Sequence, residues 1–380
     1  MKVLEVNVDD IGMGGVYALV KNLILNKGEK LRIDIAAIEP FENPDNIEYL
    51  KNLGCVVYYI GYKKNKILKQ LYCINNLYNL LKEHQYDCVH IHADVANKLL
   101  VPGIACNIAR VKKIILHSHA SSVDGKKRWM KYIYHWICRN LLKYTATDFV
   151  SCSDLASQWM FPNIDAHRVK KINNGVRLNQ FRFNTVIRQE VRNRLGIRDC
   201  FVIGHVGRFA YQKNHEYLID VFAKVKKIVP SAILLLVGEG DLRNVVEQKV
   251  ISLGLINDVI FYGISYNVSE LFQAMDVFLL PSHFEGLPIV GVEAQAAGLP
   301  VLFSSAITKE AKLINEVYYL PVDERSKDMW VKQIVELQRH RRYDTYSELE
   351  RCGFDIHQTV EELMLSLIHI SEPTRRTPIS

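Results

Sequence analysis

No stretch of this chain is apolar for anything near the roughly 20 residues that a membrane-spanning helix needs. The longest apolar runs, such as Ile233–Val237, have the length of strands. Glu5 and the pair Asp9-Asp10 interrupt any apolar leader segment at the N-terminus. The 8 cysteines are scattered, with no Cys-x-x-Cys pair, which predicts buried thiols in a reduced, cytosolic protein. Repeats of solenoid period and low-complexity linkers are missing. So is the dinucleotide fingerprint: a Gly-x-Gly-x-x-Gly beginning at Gly12 would need glycine at position 17, where Tyr17 stands.

What is present fits two domains of about 150–200 residues, since 380 residues exceed one ordinary domain. An apolar fraction of 49% can fill two cores. The net charge of +7 is unevenly spread. Residues 1–178 hold 25 Lys/Arg against 16 Asp/Glu, and the rest of the chain holds 23 against 25. The basic half is therefore the one expected to meet an anionic surface or substrate.

Short β-branched runs alternate with helical patterns along both halves. Val3–Val8, Ile33–Ile38, Cys55–Tyr59, Cys88–His92, Lys113–His117, Thr147–Ser151 and Val169–Ile172 read as strands, and Tyr17–Asn26 reads as an amphipathic helix. Asn173-Asn174-Gly175 punctuates the chain. After the charged stretch Arg182–Arg198 the pattern restarts, with strands at Phe201–Val206, Ile233–Val237, Val259–Tyr262, Val277–Leu280 and Val301–Phe303 and helices at Glu216–Ile228 and Leu242–Leu253. Two successive α/β units with doubly wound parallel sheets are predicted, with a ligand cleft at the carboxyl ends of the strands.

The strongest chemical signal runs from Pro281 to Pro300. Pro-Ser-His-Phe-Glu-Gly-Leu-Pro leads from a strand end into a helix, with Pro288 suited to its first turn and Gly298 and Pro300 to its end. The amides from Gly286 through Leu287 to Ile289 would then be free at a helix N-terminus, a ready anion site. Glu285 precedes that site and Glu293 lies about two turns into the helix. Each carboxylate can accept hydroxyl hydrogen bonds. A second element, Gly207–Asn214, follows a predicted strand and carries Arg208 and Lys213, two cations able to stabilise a departing diphosphate without a metal. A third, Gly12-Met13-Gly14-Gly15, lets backbone approach a phosphate or sugar. The fourth is two His-x-His steps, His90/His92 and His117/His119, each pair on one face of its strand. No carboxylate or cysteine in the sequence completes a metal set with them, so no metal is expected. His119 is expected to donate to a sugar hydroxyl or phosphate, and His90 and His117 to be buried and structural.

Together these residues resemble the retaining glycosyltransferase family 4, of GT-B architecture. The likeness covers residues 1–364. Glu285 to Glu293 matches the family's E-x7-E motif with its flanks, Gly14-Gly15 its glycine loop, His119 its sugar-contacting histidine, Asn174-Gly175-Val176 its interdomain motif, and Arg208 and Lys213 its diphosphate pair. Leu236–Gly240 resembles the turn near the base, which brings in Gly238. Val89–Asp94, His117–His119 and Gly204–Phe209 look most like bacterial exopolysaccharide and capsule enzymes. The resemblance implies two Rossmann-like domains facing across a cleft: an acceptor domain over residues 1–178 and a donor domain over 179–353. Residues 354–364 would form a C-terminal helix returning to the first domain. Residues 365–380, which resemble a translated sequencing adaptor from Leu365 to Arg375, would be foreign.

It further implies a nucleotide-sugar donor, a UDP-sugar by default, used as substrate with no cofactor or divalent metal. Transfer would go to a saccharide or a polyprenyl-diphosphate-linked acceptor, by same-face attack with the leaving phosphate helping to deprotonate the acceptor. Arg208 and Lys213 would bind the diphosphate, Glu293 the ribose and Glu285 the donor sugar. Gly15 and the amides of Gly286, Leu287 and the residues after Pro288 would cradle phosphate, His119 would contact the transferred sugar, and Asp94 would orient the acceptor. Nucleic acid is not an expected partner. Two other readings stay open: a nucleotide-sugar epimerase of the same fold, and a non-catalytic nucleotide-sugar-binding subunit. The segment Lys126–Ile137 places Trp129, Tyr132, Ile133 and Trp136 on one helical stripe among cations. It reads either as a core-facing helix or as a contact with anionic lipid at the inner membrane face that admits a lipid-linked acceptor, with Trp129 on the acceptor side.

Overall fold

The computed structural model describes residues 1–10, 15–61, 68–123, 128–265 and 267–368. Its first parallel sheet contains β1 (Lys2–Val6), β2 (Arg32–Ala37), β3 (Val57–Tyr59), β4 (Cys88–Ala93), β5 (Lys113–Ser118), β6 (Asp148–Ser151) and β7 (Val169–Lys171), in the order β3-β2-β1-β4-β5-β6-β7. The second contains β8 (Phe201–Val206), β9 (Ala232–Val237), β10 (Val259–Gly263), β11 (Val277–Leu280), β12 (Val301–Ser304) and β13 (Val317–Leu320), in the order β10-β9-β8-β11-β12-β13. The near-continuous Val/Ile/Leu content of β9 and β11 follows from helices covering both faces of a parallel sheet. Each sheet reverses its strand order once, between β1 and β4 and between β8 and β11, and a crevice opens at each reversal.

The first sheet buries one face under Leu77, Leu80, Leu99 and Leu100. Its other face carries Val3, Ile33, Ile35 and Ile115, and meets Leu19, Val20 and Leu23 of the helix Gly15–Leu25. The second sheet has its own two faces, one against Phe222, Val225 and Trp330 and one against Phe272, Val292 and Leu349. β13 was not foreseen. It is a four-residue strand at the sheet edge, mostly half-buried, and so lacks the apolar run that marks the central strands.

The chain crosses between the sheets twice, and the two crossings are bonded to each other. The amide of Val176 donates to Phe354 O at 2.9 Å, and that of Ile356 to Val176 O at 3.0 Å. Gly175 is required there because a Cβ would come within 2.4 Å of Thr359 Oγ1, which instead accepts the Gly175 amide at 3.0 Å. The helix Ile356–Ile368 then lies on the first domain, burying Ile356, Val360, Leu363 and Leu367 in the same core as Leu23. Residues 365–368 continue this helix, and Lys113 Nζ donates to Ser366 O at 2.5 Å.

Candidate active site

Because β8 and β11 are neighbours, the segments leaving their carboxyl ends run side by side. After β8 the chain passes Gly207 and Arg208 into a single turn of 3-10 helix, Tyr211–Lys213. After β11 it passes Pro281–Pro288 into the helix Ile289–Ala296. Lys213 Nζ donates to Glu285 Oε1 at 2.8 Å, and Gln212 Nε2 donates to Glu285 Oε2 at 3.0 Å. The two segments are also tied by His283 N donating to Gln212 O at 2.8 Å and by the Asn214 side chain, whose Nδ2 donates to Pro281 O at 3.1 Å. Glu285 is only 7% exposed, so its charge depends on these donors. Arg208 is exposed at the same strand ends. Gly238, at the end of β9, has a φ of +137° and stands where a Cβ would be 2.3 Å from Gly207 O. Its role here is to let the β9 loop lie against the backbone that carries Arg208.

Pro288 is the N-cap of the following helix rather than a residue of its first turn, and its carbonyl accepts from Gly291 N at 2.9 Å. The first amides of that helix precede its i→i−4 ladder, which leaves the positive end of the helix toward the cleft. Gly15 closes the opposite wall: a Cβ there would come within 2.4 Å of Ile289 Cδ1. Gly14 lies outside the described residues. Glu293 is half-buried in the helix, and desolvation pushes its carboxyl up to about 8, so it is mostly protonated at neutral pH.

The first domain presents the ends of β4 and β5. Asp94 follows β4 and is exposed, its carbonyl held by Trp159 Nε1 at 2.9 Å. His119 follows β5 and faces the donor turn. A Cβ on Gly286 would lie 2.7 Å from His119 O, Ser121 Oγ donates to Glu285 O at 2.6 Å, and Ser153 Oγ donates to Gly286 O at 3.3 Å. Only glycine at 286 lets the two domains approach this closely. The fold thus gathers His119, Arg208, Lys213, Glu285 and Gly286 around one cleft, with Leu287 buried beneath it. Trp129 is not among them. It is 67% exposed on the helix Arg128–Arg139, whose buried residues are His135 and Cys138. Arg128, at the start of that helix, stacks over the Tyr211 and Phe284 rings at 4.5 and 5.7 Å and bridges the cleft.

The histidine pairs have a carboxylate partner after all. Glu5 on β1 is fully buried. Its Oε2 lies 2.7 Å from His92 Nε2 and 2.9 Å from His90 Nδ1. His92 Nδ1 is 2.9 Å from His119 Nε2, and His90 Nε2 is 3.1 Å from His117 Nδ1. Burial alone would raise the Glu5 carboxyl; His90 and His92 overcome it and hold it down at about 2. Burial and the neighbouring His90 push His92 down to about 4, and burial with the adjacent imidazoles holds His117 and His119 well below the usual histidine range. Nitrogens of His90, His92 and His117 come within 4.8 Å of one another, a spacing a cation could use if these hydrogen bonds were given up. The sequence signal for Glu5 was a charge in an otherwise apolar strand, in phase with the sheet face that β4 shows at His90.

Residues 28–180 match the family model described as Glycosyltransferase Family 4, and residues 187–349 the model described as Glycosyl transferases group 1. The chain is 30% identical over 372 residues to the putative glycosyltransferase EpsF of Bacillus subtilis, spanning 96% of this chain and 95% of that protein. It is 25% identical over 312 residues to the Escherichia coli UDP-Gal:alpha-D-GlcNAc-diphosphoundecaprenol alpha-1,3-galactosyltransferase, spanning 78% and 79%. Anabaena HepE, solved in complex with UDP-glucose, superposes with a TM-score of 0.78 over 97% of this chain and 99% of that one. At 21% identity that likeness speaks for the fold alone, which is GT-B.

Proposed function

This chain belongs to glycosyltransferase family 4, beside enzymes of exopolysaccharide assembly, and from that membership we propose that it is a retaining enzyme transferring a sugar from a UDP-sugar to a lipid-linked saccharide. The observation that carries the proposal is the Lys213–Glu285 pair beside Arg208, set at the sheet's strand reversal and facing His119 across the cleft. A related enzyme whose name specifies UDP-Gal and a diphosphoundecaprenol acceptor supports the choice of substrates.

The residues divide the work by charge. As the glycosidic bond breaks, negative charge grows on the leaving diphosphate. Lys213 and Arg208 meet it from the strand ends, and the N-terminal amides of the helix Ile289–Ala296 meet it from the side. Glu285 holds Lys213 in place while each of its oxygens keeps a lone pair for a donor hydroxyl. The protonated Glu293 both donates and accepts, which suits a ribose diol. No carboxylate is needed as a nucleophile. The acceptor hydroxyl attacks from the face the leaving phosphate departs, and that phosphate takes its proton.

On the acceptor side, the helix Arg128–Arg139 carries its apolar stripe outward. Trp136 is 59% exposed, with Ile133 and Ile137 beside it, over a shallow groove lined by Tyr132, Trp136 and Trp159. This supports peripheral contact with an anionic membrane rather than a core-facing helix. Lys126 and Lys127 lie outside the described residues. Among the described residues no helix is long and apolar enough to cross a membrane. The deciding experiment incubates the protein with a panel of UDP-sugars, with and without a polyprenyl-diphosphate-linked saccharide. Acceptor-dependent release of UDP, with the donor's anomeric configuration kept in the product, is the expected result. Isomerised donor without an acceptor would identify an epimerase, and binding without turnover would identify a non-catalytic subunit; either outcome sinks the proposal.

A further inference from the structure

We propose that Glu5 is a positioning residue that fixes His119 as its Nε2–H tautomer, acting through His92. The three groups form one line from the sheet interior to the cleft: Glu5 Oε2 to His92 Nε2 at 2.7 Å, then His92 Nδ1 to His119 Nε2 at 2.9 Å. They are brought together by strand order. β1 pairs with β4 so that Glu5 sits beside His90, β4 pairs with β5 so that His92 sits beside His117, and His119 follows one step on along the same face.

With Glu5 ionised and both imidazoles neutral, proton bookkeeping along this line has one solution. An ionised carboxylate only accepts, so His92 must donate from Nε2. A neutral imidazole has one proton, so His92 Nδ1 is then bare and must accept. His119 must therefore donate from Nε2, and its Nδ1 is left as the acceptor. The ionised state of Glu5 and the neutral state of both imidazoles agree with their surroundings, since two imidazoles face one buried carboxylate oxygen and both histidines are desolvated. Glu5 Oε2 also lies 2.9 Å from His90 Nδ1, a close approach without hydrogen-bond geometry, and His90 in turn meets His117, so a second pair runs parallel to the first. The other Glu5 oxygen, Oε1, has no partner, and neither does His117 Nε2, so among the described residues this second pair stops inside the protein. The line through His92 is the one that reaches the cleft.

The consequence for transfer rests on the donor-site reading given above. His119 as an Nε2–H tautomer offers a bare Nδ1, which accepts a hydrogen bond from a sugar hydroxyl and cannot donate one to it, the reverse of the donation expected from the sequence. Reversing the tautomer would exchange acceptance for donation and leave His92 Nδ1 and His119 Nε2 with their lone pairs opposed. Strand β1 would thus select the hydrogen-bonding sense of a residue two strands away.

The test is long-range nitrogen–proton correlation on the full-length protein labelled with nitrogen-15 at histidine, at pH 7.5, with the His119→Gln spectrum used to assign the His119 ring. The expected signature is a protonated Nε2 and a bare Nδ1. Glu5→Met, which removes the acceptor while keeping most of the volume, should produce a mixture of tautomers and lower kcat about tenfold with little change in KM for the donor. An Nδ1–H tautomer or an imidazolium at His119 in the unmodified protein would overturn the proposal, whatever the Glu5 variant does. A tautomer unchanged by Glu5→Met would overturn it too, as would a stoichiometric divalent metal in the purified protein that is lost with that substitution. The outcomes separate from those of the donor-site reading. If the tautomer is as stated but His119→Gln keeps full activity, the relay stands and the role given to His119 in transfer fails.

Discussion

Replacing Lys213 by alanine should reduce stability and activity together, and replacing Glu285 by glutamine in the same chain should restore only the first. Lys213 and Glu285 are 15% and 9% exposed at their side chains and lie 2.8 Å apart. Without Lys213, the carboxylate keeps, among the described residues, only the neutral donor Gln212. Orphaning one member of a fully buried pair costs about 3–5 kcal/mol. This pair opens on a cleft that water enters, which reduces the expected cost to about 1–3 kcal/mol. For a domain of this size that is a loss of roughly 2–10 °C in Tm. The catalytic term is separate. A preorganised group facing the charge of a transition state is worth about 3–4 kcal/mol, so kcat should fall by about 10²–10³. In Lys213→Ala/Glu285→Gln the buried charge is gone. Thermal melting should return to within about 3 °C of the unmodified protein, while UDP release stays at the level of the single variant. The reasoning fails if Lys213→Ala melts like the unmodified protein, if the double variant melts no higher than Lys213→Ala, or if either retains more than a third of kcat.

Glu293→Gln tests the raised carboxyl. A group that titrates near 8 when folded and near 4.5 when unfolded contributes stability that is fully present below 4.5 and is lost as pH rises through 8. The full shift would be worth about 4–5 kcal/mol, and solvent at this half-buried side chain reduces it, so glutamine should gain about 1–2 kcal/mol relative to the unmodified protein in melts at pH 8.5 but not at pH 4.5, while weakening donor binding; equal pH dependence of the two melts would refute it. Gly286→Ala should hold the cleft open, because the new methyl would lie 2.7 Å from His119 O; small-angle scattering should show a larger radius of gyration and kcat should drop at least tenfold, and an unchanged radius with full activity would count against closure at this point. Trp129→Ala/Trp136→Ala should abolish flotation with anionic liposomes without lowering Tm, since both rings are more than half exposed; persistent flotation would remove this helix from the membrane reading.

The sequence predicted the fold well because parallel sheets covered on both faces need apolar strands, and such strands are visible without an alignment. It failed at β13, whose edge position leaves Tyr318 and Tyr319 half-buried and the pattern weak. The donor site was legible as separate pieces: a strand end with Arg208 and Lys213, and another with Glu285. Their meeting was not, because β8 and β11 lie 70 residues apart in sequence and become neighbours only through the strand reversal. The outward stripe on the helix Arg128–Arg139 was visible as spacing, but periodicity gives a stripe without saying which way it faces. Glu5 shows the deepest limit. Read alone, it was an acid interrupting an apolar start. Alternation placed each His-x-His pair on one face, yet nothing local says that β1 inserts beside β4 and turns the same face to them. A buried carboxylate with two imidazoles on one oxygen is stable only when all of them arrive together. Residues of this kind, unfavourable in their own strand and satisfied only by strands remote in sequence, are therefore where reading one chain residue by residue gives least and where the assembled sheet adds most.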